Sequence, residues 1–167
     1  MCSRTFLQPP VELFTSAAIL KKSGHSVQIC DFRVLNQTAS EAVQLIDADA
    51  DFIIISVSPY DMTQMYHMDY RYRYTEHFSR IVKEAFPKAL VFAEGAQCTL
   101  KPEAFLQHTM LDGVILWEIE RTVRSLTDAI TQGLPLETVP NLVLRTLKDK
   151  CIRTVFDEDY AHTDVKY

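Results

Sequence analysis

Asp51-Phe52-Ile53-Ile54-Ile55-Ser56-Val57 is the strongest strand signal in the chain, a run in which β-branched and aromatic residues follow one another without a polar break until Ser56. A strand with one wet face alternates apolar and polar residues. One that does not alternate is covered on both faces, as in a parallel sheet packed between helices. The run therefore predicts a central strand of an α/β fold. Working outward, Ala89 to Ala93 repeats the pattern and breaks at Glu94-Gly95, and Gly113 to Leu116 repeats it again. The stretch between the first two runs is long enough for a crossover helix, expected to end near Phe86 because Pro87 cannot continue it. Pro102, tolerated in a first helical turn, opens a helix to His108, and Glu118 to Thr131 reads as another, closed by Gly133.

Toward the N-terminus, Thr5 to Gln8 is an expected strand that stops at Pro9-Pro10. Leu13, Phe14, Ala17, Ala18 and Leu20 recur at helical spacing from Val11 to Lys22, with Gly24 as the stop. Ser26 to Cys30 reads as a strand, and Ser40 to Ile46 as a helix capped by Ser40. At the other end, Leu142-Val143-Leu144-Arg145 and Ile152-Arg153-Thr154-Val155 are expected to pair across Lys148-Asp149-Lys150. The resulting expectation is a doubly wound, Rossmann-like α/β fold of flavodoxin-type order. It has a five-stranded parallel sheet and a C-terminal β-hairpin. Residues 1–138 form the α/β domain, and residues 139–167 a hairpin and tail packed on it.

Composition bounds the function. Of 167 residues, 47% are hydrophobic and 23% charged, the balance of a globular chain long enough to bury a core. The net charge of −5 argues against a nucleic-acid surface, and Arg71-Tyr72-Arg73-Tyr74, the local exception, reads as a solvated helix face. Cys2, Cys30, Cys98 and Cys151 contain no C-x-x-C pair and no zinc spacing, so reduced thiols in a cytoplasmic protein are expected. The apolar stretch after Met1 is too short for a signal peptide, and none reaches the length of a membrane span.

Parallel sheets of this kind bind ligands beyond the carboxyl ends of their strands. The loops after Gln8, Cys30, Val57, Ala93 and Leu116 are therefore the places for chemistry. They contain no G-x-G-x-x-G and no P-loop, which disfavours a dinucleotide, and Asp31 reads as a polar strand end or a helix cap. They do offer the hydroxyls of Ser56 and Ser58 beside Tyr60. Gly95 permits a tight backbone passage within Glu94-Gly95-Ala96-Gln97-Cys98-Thr99, and Trp117 and Glu118 stand at a helix start. No nucleophile, base and orienting group recur at catalytic spacing, so no complete catalytic site is expected. The segment Tyr60 to Tyr74, rich in Tyr, Met and His, suits an interaction surface or a core-facing helix side.

The order of these segments resembles the cobalamin-binding domain at the N-terminus of B12-dependent radical SAM enzymes. The matching pieces are Pro9-Pro10, Lys22-Ser23-Gly24-His25-Ser26-Val27 before Asp31, Asp51 through Ser56, and Phe86-Pro87. Then come Gly95 through Pro102-Glu103, Asp112-Gly113-Val114-Ile115, Glu118-x-Glu120-x-Thr122 and Pro140-Asn141-Leu142. The resemblance covers essentially the whole chain. It implies cobalamin as cofactor, held by Pro9, Ser56, Ser58, Tyr60, Glu94, Gly95, Gln97, Thr99, Trp117 and Glu118, with no metal ligand from the chain. Related domains that supply a histidine to cobalt carry it in an Asp-x-His-x-x-Gly loop absent here, so His67 is not that ligand. Two positions depart from the family: Glu94-Gly95 stands where Gly-Gly is usual, and Trp117-Glu118-Ile119-Glu120 where Gly-Glu-Gly-Glu is usual.

The family's radical SAM motif, Cys-x-x-x-Cys-x-x-Cys, does not occur in the chain. No iron–sulfur cluster and no radical chemistry are then expected of this polypeptide alone. It would be an accessory component that partners a radical SAM protein or domain, in methyl transfer or rearrangement. Two further readings stand beside this one. In the first, the domain has lost the cofactor and acts as an interaction or scaffolding partner, with Glu94, Trp117 and Ile119 filling the old pocket. In the second, it is a flavodoxin-like domain for another small molecule.

Overall fold

Alternation along three short strands sorts the core into two halves. The computed structural model describes residues 11–31, 37–57, 68–117, 119–146 and 150–156. Helix α1 (Val11–Lys22) leads to α2 (Ala39–Val43), β1 (Phe52–Ser56), α3 (Met68–Ala85) and β2 (Leu90–Glu94). Then follow α4 (Ala96–Leu100), α5 (Pro102–His108), β3 (Gly113–Ile115), α6 (Ile119–Gln132), β4 (Leu142–Arg145) and β5 (Cys151–Arg153). Ile55, Val57, Val91, Ala93 and Val114 face α2, α3 and α5, packing with Val43, Phe78, Val82, Phe105 and Leu106. Ile54, Phe92 and Ile115 face the opposite way and pack with Leu20 of α1 and Ile119, Val123 and Leu126 of α6. Successive side chains of a strand point to opposite faces, so the apolar run at β1 serves both layers.

The sheet order is β1-β2-β3-β4-β5. Strands β1, β2 and β3 are parallel, with Ser56 opposite Glu94 at the end of the β1–β2 ladder. β4 runs antiparallel to β3, and β5 antiparallel to β4. The sheet is therefore mixed among the described residues, where five parallel strands were expected. Two of those five account for the difference. Thr5 to Gln8 lies outside the described residues, and Ser26 to Cys30 forms no strand there. Residues 26–30 instead line a cleft along the edge of β1 that faces away from β2. Phe52, Ile53 and Ile54 are half-buried at this edge among the described residues, where the sequence predicts a central strand covered on both faces.

Local signals set the helix ends. Gly24 adopts φ +92°, and its N–H and that of His25 donate to Lys21 O and Leu20 O, both at 3.1 Å, closing α1 in a Schellman motif. Helix α2 is capped by Thr38, not Ser40 as the sequence predicts. The Glu41 backbone N–H donates to Thr38 Oγ1 while the Glu41 carboxylate accepts from the Thr38 backbone N–H, and this reciprocal box outcompetes a lone serine. The expected loop after β2 is in fact the short helix α4, which carries Gln97 and Thr99. Arg145 of β4 donates to the carbonyls of Leu106, Thr109 (2.7 Å) and Leu111 (2.9 Å), tying the end of α5 to the sheet.

Candidate functional site

The carboxyl ends of β1 and β2 bring Ser56 and Glu94 side by side. By alternation both point to the face of Ile54 and Phe92, under α1 and α6. Glu94 is only 3% exposed. Burial, the largest cause, lifts its carboxyl to about 7; Ser56 opposes this by hydrogen bonding to it, and the nearby Glu12 and Glu120 add to it. Those two acids occupy the first turns of α1 and α6, so both helix N-termini converge on Glu94. Behind it, burial and Glu94 also raise the Cys98 thiol, which keeps it from acting as a thiolate.

A cleft of about 560 Å³ runs from α1 and α6 past residues 25–31 and around the edge of β1 to Thr75 and Phe78 of α3; Ser56 lines it, and Glu94 and Thr122 do not. Leu13, Ala17, Leu20, Ile54 and Ile130 give it apolar walls, and Ser16 and Ser56 give it hydroxyls. Ser16 Oγ, Glu94 Oε1 and Thr122 Oγ1 are buried and have no hydrogen-bond partner among the described residues. Native folds rarely leave such groups unsatisfied, so three on one face stand out.

Gly95 does not line this cleft. Its φ is +119°, and a Cβ there would stand 2.3 Å from Val57 O, so the glycine lets the loop pass against the end of β1. Thr99 Oγ1 accepts the Trp117 backbone N–H at 2.9 Å. Trp117 has φ +61°, a left-handed backbone that glycine adopts at less cost. Its side chain is 51% exposed and meets the Phe156 ring edge-on at 5.8 Å, beside a smaller cleft with Arg153 and Thr154. Ile119, by contrast, is buried against Phe92 and Ile115. Of the expected binding residues, Ser56 and Glu94 come together, while Thr99 and Trp117 form a separate rim. Gln97 lies on α4, and Pro9, Ser58, Tyr60 and Glu118, like His67, lie outside the described residues.

Ser16 and Thr122 are not candidates in the sequence reading, yet a signal exists. In the buried stripe Leu13-Ser16-Ala17-Leu20 of α1, and in Ile119-Thr122-Val123-Leu126 of α6, the second member is polar. The same interruption in two helices covering one sheet face is a pattern that spacing alone makes visible. No group of three or more His, Cys, Asp or Glu side chains among the described residues could hold a metal ion. No helix there is long and apolar enough to cross a membrane.

Residues 2–127 match the family model of the B12 binding domain. The chain belongs to the B12-binding domain family. No curated protein matches this B12-binding domain in sequence. Its fold is similar to that of the radical S-adenosylmethionine methyltransferase TsrM from Kitasatospora setae, solved with cobalamin and a [4Fe-4S] cluster. The two share 16% identity at a TM-score of 0.67, over 88% of this chain and 26% of that one. It is also similar to the cobalamin-dependent S-adenosylmethionine radical enzyme OxsB, solved with aqua-cobalamin and S-adenosylmethionine. Here the identity is 18% and the TM-score 0.65, over 89% of this chain and 20% of that one. The B12-binding domain thus spans about a quarter or less of these similar chains.

Proposed function

We propose that this B12-binding domain holds cobalamin and serves a radical SAM protein or domain in methyl transfer or rearrangement. The observation that carries the reading is the set of three orphaned buried polar atoms, Ser16 Oγ, Glu94 Oε1 and Thr122 Oγ1, on one face of the sheet, of which Ser16 lines the cleft. A large ligand with apolar surface and a few hydrogen-bonding groups fits such a site. Ser56, Glu94, Ser16 and Thr122 are the residues that would hold it, and Ser58, Tyr60, Glu118, Gln97 and Pro9 are further proposed contacts. Bound cobalamin supplies a cobalt centre able to carry a methyl group. The chain's own part is to bind and orient it. The doubly wound order, with Thr5 to Gln8 beside β1, belongs to the same proposal. The cofactors in TsrM and OxsB support the ligand class.

A second reading, a domain that scaffolds without cofactor, draws on Glu94 and Ile119, which point inward where the family has glycines. Trp117, which that reading also needs inward, is half exposed. Gel filtration of the purified chain with hydroxocobalamin separates the two. Cobalamin binding predicts colour co-eluting with protein and a changed visible spectrum; free elution with an unchanged spectrum overturns it.

A further inference from the structure

We infer that the cleft is a strand acceptor and not a small-molecule pocket, and that its occupant is the chain's own segment Thr5 to Gln8, seated parallel to β1 on the edge that faces away from β2. The inference deepens the doubly wound order by naming what fills the cleft, and it does not depend on cobalamin. Shape is its first ground. The cleft follows Phe52 to Val57 and reaches both layers: Leu13, Ala17 and Ile130 line it on the α1 and α6 side, and Ile46, Thr75 and Phe78 on the other. A strand laid along that edge sends successive side chains to both faces.

The backbone is the second ground. Val57 N–H donates to Glu94 O, and Asp51 O accepts from Leu90 N–H, so residues 51, 53, 55 and 57 turn their backbone groups to β2. Those of Phe52, Ile54 and Ser56 therefore point into the cleft. Across it, residues 26–30 have no backbone pairing among the described residues. Gln28 holds this wall in place, donating to Leu45 O at 2.7 Å and accepting the Asp47 N–H at 3.1 Å. Two open backbone edges between apolar layers are what an added strand satisfies.

Connectivity identifies the occupant. Helix α1 starts at the carboxyl end of the sheet, since Glu12 of its first turn acts on Glu94 at the end of β2. Pro9 and Pro10 give Gln8 a reach of about 10 Å to Val11, so a strand ending at Gln8 ends at that side too and runs parallel to β1. Phe6 and Leu7 are neighbours, so one enters each apolar layer, and the prolines fall outside the run, where they cost the ladder no donor.

Amide hydrogen exchange of the full chain, read residue by residue by NMR without cobalamin, tests the assignment. Phe52, Ile54 and Ser56 are expected to exchange as slowly as Ile53 and Ile55. In the double variant Phe6→Asp, Leu7→Asp, whose charges are too costly to bury in the apolar layers, those three lose protection while Ile53 and Ile55 keep theirs. Fast exchange of the three in the wild type, or protection that survives the double substitution, overturns the inference. Protection that appears only as the chain self-associates assigns the cleft to a second copy and overturns it as well. Should the double variant not fold, cross-strand contacts between residues 5–8 and 52–56 in the wild-type NMR spectra decide: their presence upholds the seating, and their absence overturns it. Cobalamin takes no part in the measurement, so the seating and the cobalamin reading fail separately.

Discussion

A carboxyl group held at 3% exposure with one oxygen unpaired costs free energy that the fold must offset elsewhere, and Glu94 is that group. Its carboxyl lies at about 7 in the native state against an ordinary 4.5, so the folded chain binds the proton more tightly than the unfolded one. The contribution is fully present below the ordinary value and is lost as pH rises through about 7, on the order of 3 kcal/mol in all. Glu94→Gln removes that titration. Urea unfolding at pH 5 and pH 8 should show the wild type losing stability relative to Glu94→Gln at the higher pH, and parallel curves would contradict the burial account. The residue was visible in the sequence as a departure from the family's Gly-Gly. Its orphaned state was not, because alternation in β2 becomes a direction only once α1 and α6 are known to cover that face.

Elements were legible where local chemistry and tertiary packing agree. The runs at 51–57 and 89–93 and the helices at 11–22 and 102–108 needed only periodicity and a Pro or Gly boundary. Ser26 to Cys30 has the composition of a strand, yet pairing requires a neighbour, which no local pattern supplies. Helix α4 is one short turn between Gly95 and Lys101, shorter than periodicity can resolve. The hold of β4 on α5 was equally unreadable, since Arg145 acts on carbonyls 34 to 39 residues away. Arg145→Leu strands the C-terminal carbonyls of α5 without their donor and should cost about 2–4 kcal/mol in chemical denaturation. An unchanged midpoint would show that water replaces the guanidinium freely.

For the whole molecule, one sheet divides two different kinds of layer. The α2, α3 and α5 side is an apolar core, with Lys83 clamped at 2.8 Å to Asp112, which also accepts the Val91 N–H at 2.7 Å. The α1 and α6 side carries the orphaned atoms of Ser16, Glu94 and Thr122 and one wall of the cleft, which continues around the edge of β1. Binding on that side adds the hydrogen bonds the fold leaves unmade, and a ligand specific to the native state raises its stability by mass action. A crystal structure of the domain grown with hydroxocobalamin tests this most directly. The cobalamin reading predicts the ligand beyond the carboxyl ends of β1 and β2, on the face that α1 and α6 cover. Crystals without cobalamin, or with it on the α3 side of the sheet, would contradict it.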